Sequence, residues 1–423
     1  MTSSSTSSPW LVRALAVWAC GAIFYCYQFA LRVSPSVMAD NLMCDFGVQG
    51  CALGALSAAY YYAYASLQIP VGMALDRIGA RKIVATSIFL CALGCLTFAG
   101  ASSVVMASLG RFLMGAGSAC AFIGSIKLIT LWFPQKHVAL MVGLTMMLGT
   151  FGATFGVVLL PRFFDAMGWR YSMILLGTAG AFLSVSSWFL LQKKKENQPV
   201  PDERESQKIG AGLMLAVRTP QIWCLALFGC LMYVPLSAFG DLWGVPFLTR
   251  VYGLGKSDAG LFISTLYCGV AVGSLVVSAL SDRLKARRPL MRAGAFVALL
   301  CYVMIVMVPV PSAVMMILLF VAGFAFGGQL LCFTAVTETL PLWASGVGVG
   351  VTNMTIMMSG VIFEPLVGQI LDMLWDGATQ EGSPLYAIDH FRTALLPVAL
   401  SVGGAFLLTF FIRETHPDHK IVS

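Results

Sequence analysis

Long apolar stretches separated by short polar ones run along almost the whole chain. Each apolar stretch is close to the roughly 20 residues that a helix needs to cross the hydrocarbon core of a bilayer. Backbone groups in lipid must be hydrogen-bonded within their own segment, so continuous runs of this length predict helices. The pattern predicts an all-α membrane protein with twelve transmembrane helices, at residues 10–38, 51–74, 82–101, 104–133, 138–160, 170–191, 221–248, 257–281, 289–308, 312–340, 343–371 and 391–412.

The composition agrees with a membrane protein. Hydrophobic residues are 58% of the chain and the mean hydropathy is +0.85. Charged residues are 11% of the chain, whereas soluble domains have about 25%. The net charge of +7 is divided among short loops, which argues against nucleic-acid binding. Most Lys and Arg fall on the side of the N-terminus, which predicts a multi-pass protein in the lipid bilayer with both termini cytoplasmic.

Two short motifs each occur twice. The stretch "GMALDRIGARK" around Asp76 returns as "SALSDRLKARR" around Asp282. Independently, "VGLT" and the following Asp165 return as "VGVT" and Asp372 at nearly the same separation. The repetition predicts two homologous, pseudo-symmetric halves of six helices each. Such repeats place a substrate site between the halves near the bilayer midplane, with alternating access by rocking of one half against the other.

The boundary between the halves falls in the polar stretch "QKKKENQPVPDERESQK", which is too charged to cross a membrane. It is predicted to be a cytoplasmic linker. The predicted organisation is a cytoplasmic tail at 1–9, an N-terminal half at 10–191, a linker at 192–218, a C-terminal half at 219–412 and a cytoplasmic tail at 413–423.

No motif of catalysis or metal binding accompanies this organisation. The twelve Cys are scattered and none has metal-ligand spacing. Nucleophile–base pairs and phosphate-cradling loops are also absent, so an enzyme is not expected. Cys44 and Cys51 flank an external loop, and the sequence is compatible either with a disulfide between them or with two independent thiols. We expect no catalytic residue, no metal and no cofactor other than a coupling ion.

The stretch "GMALDRIGARK" resembles the signature loop of the major facilitator superfamily. With twelve helices, a central linker and a degraded second copy, the resemblance covers nearly the whole chain. It implies that Gly72 lets the second and eleventh helices approach closely, and that Asp76 makes a helix-dipole contact favouring the outward-facing state. For the arginines, topological anchoring is the alternative. The residues that the resemblance assigns to gating are Gly72, Asp76, Arg77, Gly79, Arg81, Asp282 and Arg283.

Arg32 interrupts the first apolar stretch. An arginine inside the membrane costs about 2.5–3.5 kcal/mol on insertion scales, so it should face a cavity or a partner. The surrounding "YQFALR" and the later "SIKLITLWFP" resemble the organophosphate and anion-cation symporter branches of the superfamily. That resemblance implies that Arg32 contacts an anionic substrate, for which a guanidinium is suited by its paired donors. A structural pair with a carboxylate or backbone carbonyls, or snorkelling, is the alternative.

Further polar residues are candidates for the substrate site. Positions that are basic in the resembling branches are Leu236 and Gln68 here, so a doubly charged phosphate is disfavoured against a singly charged organic anion or an amino-acid-like compound. Asp241 falls nearly at the mirror position of Arg32, where it would pair with Arg32 in the empty carrier or bind the other end of a zwitterion. The candidate substrate-binding residues are Arg32, Tyr60, Tyr64, Gln68, Asp241 and Asn353. The tyrosines fit an interfacial belt equally well.

Proton coupling requires an acid that takes up and releases a proton within the cycle. Asp241 and Glu364 are the deepest acids of the second half, and Arg111 in "RFLMGAG" resembles a family arginine linked to coupling. A structural ion pair is the alternative for Arg111. Glu338 is nearer a helix end and is expected to pair with a basic loop near Arg287.

Together these features predict a secondary active transporter that works by alternating access. We expect proton-coupled uptake of a small organic anion, by a monomer in the inner membrane of a bacterium. An amino-acid or peptide carrier, an exporter, and a non-transporting sensor on the same scaffold are the alternatives, in that order. The glycines of the fifth helix lack the proline of the antiporter signature, which disfavours export.

Overall fold

The computed structural model describes residues 9–191 and 203–416. Within them the side chains of residues 9, 76, 135, 136, 139 and 203–209 are not described. The predicted tails and linker therefore lie wholly or partly outside the described residues. The same holds for the side chain of Asp76, whose predicted gating contact is outside what the structure describes.

Almost every described residue is helical. Eleven helices of the described chain are long and apolar enough to cross a bilayer. A twelfth span is formed by the helix that begins at Gly50 if the short helix Ala39–Phe46, bent from it by 113°, is counted with it. This confirms the predicted all-α architecture. The helices are α1 (Pro9–Val37), α2 (Gly50–Ile78), α3 (Ala80–Ala99), α4 (Val104–Ser118 and Ala121–Trp132), α5 (Gln135–Val158 and Leu160–Met167), α6 (Trp169–Leu190), α7 (Pro220–Val234, the π-helical Pro235–Trp243, and Gly244–Tyr252), α8 (Lys256–Leu284), α9 (Arg288–Met307), α10 (Ser312–Ala325 and Gly327–Thr339), α11 (Leu342–Leu374) and α12 (Ile388–Ala394 and Leu396–Leu408).

Three connections of the described chain contain further secondary structure, and the first is the short helix Ala39–Phe46 between α1 and α2. A hairpin of two-residue strands, β1 (Thr379–Gln380) and β2 (Ser383–Pro384), lies between α11 and α12. Part of the predicted linker is a helix, Glu203–Arg218, because its later residues include an apolar run. In that helix a Cβ added to Gly212 would lie 3.6 Å from Ala344 Cα of α11, so this segment packs on the C-terminal half. Cys44 and Cys51 are free thiols rather than a disulfide.

The two halves meet most closely at one end of the bundle. We call this the outer end, following the predicted orientation; it holds the connection between α1 and α2. Glycines bring backbones into direct contact there, as small residues do in membranes. A Cβ on Gly54 of α2 would overlap the Glu364 carbonyl of α11, and a Cβ on Gly260 of α8 would overlap the Val157 carbonyl of α5. The outer end is therefore closed.

Toward the opposite, inner end the same helices diverge. At Gly350 of α11, a Cβ added to the glycine would lie 3.6 Å from Ile69 Cγ1 of α2. The two helices are therefore in contact there through a side chain and not through their backbones. At Gly72 an added Cβ would have no described atom within 4 Å. The predicted contact of Gly72 with α11 is therefore wrong for this conformation, because the two halves separate before α2 reaches that residue. Gly50 and Gly54 make the close approach instead.

Candidate functional site

An ion pair joins the two halves inside the bundle. Arg32 of α1 is 3% exposed and Asp241 of α7 is 1% exposed. The Arg32 Nε donates to Asp241 Oδ2 at 2.8 Å. Arg32 therefore does not snorkel to the surface. The pairing with Asp241 that the sequence left open is present, and it crosses from the N-terminal to the C-terminal half.

Three tyrosines complete the hydrogen bonding of this pair. The Arg32 guanidinium donates to the Tyr61 hydroxyl at 3.0 Å and to the Tyr233 hydroxyl. The hydroxyls of Tyr61 and Tyr267 donate to the two carboxylate oxygens of Asp241. Both charged groups thus have several polar partners away from water, which a buried ion pair requires in order to offset its desolvation.

Tyr61, Tyr233 and Tyr267 are absent from the site predicted from the sequence. One signal was available: Tyr267 follows Tyr61 by the same 206 residues that separate Asp282 from Asp76. Tyr61 and Tyr267 are therefore equivalent positions of the two repeats, on α2 and α8. Extending the repeat alignment into these helices would have placed both residues in the candidate site.

Asp241 reaches Arg32 from an unusual stretch of backbone. The π-helical segment of α7 begins at Pro235, which has no N–H to offer the preceding turn. The wider π-helical turn changes the direction of side chains relative to a continuous α-helix. Such insertions are frequent at functional sites. Every residue from Pro235 to Trp243 is buried.

The predicted site residues Tyr60, Tyr64 and Gln68 of α2 lie next to the pair. The Tyr60 hydroxyl donates to Gln28 Oε1 at 2.7 Å, and the rings of Tyr60 and Tyr64 stack with centroids 6.0 Å apart. Gln68 is buried, and its Nε2 has no hydrogen-bond partner among the described residues. These three residues are inside the protein rather than in an interfacial belt. Asn353 on α11 is half-buried.

Arg111 holds the backbone of α1 at the position of Arg32. It is fully buried, and it donates from Nη1 to the Leu31 carbonyl at 2.7 Å and from Nη2 to the Arg32 carbonyl at 3.3 Å. The Leu31 carbonyl lacks its usual helical donor because that donor would be the missing N–H of Pro35. Arg111 and the Ser34 hydroxyl, the latter at 2.8 Å, donate to this carbonyl instead. The hydrogen bonds of Arg111 go to backbone carbonyls, which are the contacts of a residue that positions Arg32. Its predicted role in proton coupling stays a prediction.

Glu364 is the second buried acid of the C-terminal half. Its side chain is fully buried, and neither carboxyl oxygen has a hydrogen-bond partner among the described residues. Ser57 and Arg111 are its polar neighbours. Its backbone is fixed, since the Trp243 Nε1 donates to the Glu364 carbonyl at 2.9 Å. Because an ionised carboxylate without donors is costly to bury, this environment favours the protonated acid.

The first copy of the repeated loop makes contacts at the inner end of the N-terminal half. Gly79, between α2 and α3, has φ of +96°, which favours glycine. Arg81 donates from Nε to the Trp188 carbonyl of α6 at 2.8 Å, and its guanidinium stacks 4.6 Å from the Trp188 ring. Arg77 is exposed at the end of α2. Arg81 thus connects this loop to α6 within the N-terminal half.

The second copy is organised around Arg287, the repeat equivalent of Arg81, but with different partners. Arg287 pairs with Asp282 at 2.6 Å and with Glu338 of α10 at 2.9 Å. The predicted pairing of Glu338 is therefore confirmed. Arg283 is exposed. Glu414, beyond α12, accepts from the backbone N–H of Arg287 at 2.9 Å.

Comparisons with known proteins agree with this architecture. A sequence model described as Major Facilitator Superfamily matches residues 17–364. The chain belongs to the major facilitator superfamily. This confirms the resemblance drawn from the repeated loop, and it identifies the chain as a transporter rather than an enzyme.

Similar curated proteins are named as anion transporters. The chain is 24% identical over 427 residues to a probable galactarate/D-glucarate transporter of Bacillus subtilis strain 168, with 93% of each chain covered. It is 22% identical over 419 residues to probable anion transporter 6 of Oryza sativa subsp. japonica, covering 94% of this chain and 96% of that protein. These relatives support the anion branch of the superfamily.

Solved structures share the fold. A bacterial homologue of the human lysosomal transporter Spinster, described as inward-facing and unoccupied, superposes with a TM-score of 0.76 at 18% identity, covering 96% of this chain and 97% of that one. The structure of a point mutant of the nucleoside transporter NupG gives a TM-score of 0.73 at 15% identity, with 94% of this chain and 99% of that one covered. At these identities the likeness establishes the fold alone.

Proposed function

We propose that this chain is a proton-coupled secondary active transporter that takes up a small organic anion by alternating access. The observation that carries the proposal is the buried Arg32–Asp241 ion pair between the two halves. In the empty carrier the Asp241 carboxylate occupies the guanidinium. A substrate carboxylate has the same charge and geometry, so it can take the place of Asp241 on Arg32.

The polar groups around Arg32 indicate the substrate class. One guanidinium and the hydroxyls of Tyr61, Tyr233 and Tyr267 offer one positive charge and several neutral hydrogen-bonding groups. A single carboxylate with hydroxyl or amide groups matches this set. A second negative charge would have no second free cation near Arg32 among the described residues, because Arg111 donates to backbone carbonyls. The relative named for galactarate/D-glucarate transport supports an organic anion. Both of those compounds carry two carboxylates, so the preference for a single charge rests on the site alone.

Displacement of Asp241 provides a reason for proton coupling. Once separated from Arg32, an ionised Asp241 would be a buried charge without its counter-ion, a state that costs about 3–5 kcal/mol. Proton uptake removes that charge. Substrate and proton would therefore bind together, and a singly charged substrate would cross without net charge. Glu364 is a second proton site, in a pocket where the neutral acid is favoured.

A zwitterion carrier is the second candidate. Asp241 accepts hydrogen bonds from a guanidinium and two phenols, so it can also bind a substrate ammonium while Arg32 binds the carboxylate. An amino-acid-like compound would then insert between the two residues without a proton on Asp241. Proton dependence of binding separates this candidate from the organic-anion carrier.

The proposal is tested by ligand-induced thermal stabilisation, since a ligand that binds the folded state raises Tm by mass action. We would compare wild type, Arg32→Ala and the exposed control Arg170→Ala against sugar acids, other carboxylates, phosphorylated sugars, amino acids and dipeptides. We expect one carboxylate class to stabilise wild type and the control but not Arg32→Ala. An equal response of Arg32→Ala to the same ligand would overturn the proposed anion contact.

Uptake by proteoliposomes then separates transport from sensing. A ligand found in the first experiment should accumulate when an inward proton gradient is imposed. Binding without accumulation would indicate the sensor, and accumulation only with the opposite gradient would indicate an exporter.

A further inference from the structure

The outer closure contains a hydrogen-bonded contact that the sequence analysis noted only as a repeat. Asp372, near the end of α11, accepts from two backbone N–H groups at the start of α2. Its Oδ1 lies 2.8 Å from the Gly50 nitrogen, and its Oδ2 lies 2.7 Å from the Cys51 nitrogen. The N–H groups of a helix's first turn have no partner within the helix. Gln49, which precedes α2, provides no side-chain cap, so Asp372 satisfies these groups from the other half.

Tyr386 fixes the carboxylate in place. Its hydroxyl donates to Asp372 Oδ1 at 2.5 Å and accepts from the Gly50 nitrogen at 2.9 Å. The Tyr386 carbonyl in turn accepts from Arg250 Nε at 2.9 Å. Burial and the neighbouring Asp372 raise the pKa of the Tyr386 phenol, so it remains a donor at neutral pH. The carboxylate is thus held by its own half while it caps the helix of the other.

Close packing at Gly50 allows this geometry. A Cβ at Gly50 would lie 3.1 Å from Asp372 Oδ1, from the Gly368 carbonyl and from the Tyr386 hydroxyl. The cap therefore lies directly beside the backbone contact of α2 with α11 that closes the outer end. Opening this end would leave a carboxylate without its donors and the positive end of a long helix without its acceptor.

The equivalent acid of the other repeat makes no such contact. Asp165 of α5 is exposed, and its carboxylate has no hydrogen bond or ion pair with a described residue. The outer end of α8 is instead connected to the N-terminal half by Ser257, whose hydroxyl donates to the Val158 carbonyl at 3.0 Å. The cap is therefore present at one of the two pseudo-symmetric positions, and Asp165 is its matched control.

We propose that Asp372 is the outer latch of the transport cycle, a residue that stabilises the outer-closed state by capping α2 across the interface between the halves. The proposal rests on the proposed alternating-access function. Loss of the latch shifts the empty carrier toward the outer-open state without touching Arg32 or Asp241. A charged helix cap of this kind changes the ratio of the two states by about three- to tenfold.

Hydrogen exchange of the substrate-free protein tests the latch. We would compare wild type, Asp372→Asn and Asp165→Asn in the same lipid nanodiscs, because amide exchange reports local opening. In Asp372→Asn we expect exchange to rise about three- to tenfold at residues 50–54 and also at 157–158 and 257–260, on the other side of the outer closure. Asp165→Asn should match wild type.

An increase confined to residues 50–54 would overturn the proposal, since Asp372 would then only stabilise one helix turn. No increase, or an equal increase in Asp165→Asn, would overturn it as well. If Asp372→Asn fails to fold, Tyr386→Phe removes one donor and keeps the charge, and it should give a smaller rise at the same three sites. Because no substrate is used, a failed search for an anionic ligand leaves this result unaffected.

Discussion

An arginine and an acid lie near each other at two places inside the bundle, and the two places differ in the hydrogen-bond partners of these residues. Arg32 and Asp241 bond to each other across the two halves, with three tyrosine hydroxyls around them. Arg111 and Glu364 are neighbours, yet Arg111 donates to the backbone of α1 and Glu364 has no hydrogen bond among the described residues. The same residue types therefore serve different purposes in one interior.

The difference shows which charges are available to a substrate. The Arg32 guanidinium is held by side chains that can move, and in the proposed function a substrate carboxylate replaces one of them. Arg111 helps to compensate for a proline in a neighbouring helix, and moving it would remove one of the two donors to the Leu31 carbonyl and the hydrogen bond to the Arg32 carbonyl. Burial of an arginine in a transporter is thus insufficient to assign a substrate contact; its hydrogen-bond partners make the distinction.

The largest effect is expected from breaking the bonded pair. Arg32→Ala leaves an ionised Asp241 without its counter-ion and should lower the free energy of unfolding by about 3–5 kcal/mol. The double variant Arg32→Ala/Asp241→Ala leaves no unpaired charge and should regain part of that loss. Chemical denaturation in mild detergent measures wild type, Arg32→Ala, Asp241→Ala and the double variant. If the two single losses simply add in the double variant, the pair is not coupled.

An exposed pair provides the control for this cycle. Arg170 and Asp45 also form an ion pair, with side-chain exposures of 41% and 33%. Solvent screens such pairs, so losing the ion pair should cost about 0–1 kcal/mol. Asp45→Asn is the control variant in the same assay, because its side-chain oxygen can still accept from Trp169 Nε1.

Substitution of Arg111 should lower the free energy of unfolding by a smaller amount, and a second substitution should recover part of that loss. Arg111→Met removes one of the two donors to the Leu31 carbonyl and the hydrogen bond to the Arg32 carbonyl, at about 0.5–1.5 kcal/mol for each hydrogen bond lost. Adding Pro35→Ala restores a backbone N–H to α1 and should recover part of this loss. Thermal denaturation of the four proteins of the cycle measures the coupling. An equal effect of Pro35→Ala in the presence and absence of Arg111 would contradict the positioning role.

Glu364→Gln should cost less still. A Gln side chain has nearly the shape of the protonated acid, so the free energy of unfolding should change by less than about 1 kcal/mol. Ligand binding should be retained, while accumulation driven by a proton gradient should fall. Parallel binding and uptake assays on one preparation separate the two. A loss of stability as large as that of Arg32→Ala would mean that Glu364 is ionised and paired.

Glu414 can be compared with Glu364, because it is an acid that accepts hydrogen bonds and lies near water. Partial burial raises the pKa of Glu414, but backbone N–H donors, including those of Arg287 and Arg288, outweigh it and lower the pKa. Its stabilising effect is present above the unfolded pKa of about 4.3 and is lost as pH falls through the lower folded value. Glu414→Gln should therefore be slightly less stable than wild type at pH 7, by about 1 kcal/mol or less, with the difference vanishing in acid.

Much of the fold could be predicted from the sequence because hydropathy and the repeat determine the spans and their pairing. Arg32 and Asp241 could also be predicted, since charged residues inside apolar stretches are conspicuous. Tyr61, Tyr233 and Tyr267 were missed because their roles depend on packing between helices and on the π-helical turn of α7. The contact expected at Gly72 depends on the conformational state, which hydropathy does not determine.

We infer that the Asp241 carboxylate and the substrate carboxylate compete for Arg32. The test adds a carboxylate that stabilises wild type to wild type and to Asp241→Asn at neutral pH, and compares the ligand-induced rise in Tm. We expect a larger rise in Asp241→Asn, because an amide binds a guanidinium more weakly than a carboxylate does. An equal or smaller rise in Asp241→Asn would show that the two carboxylates do not compete.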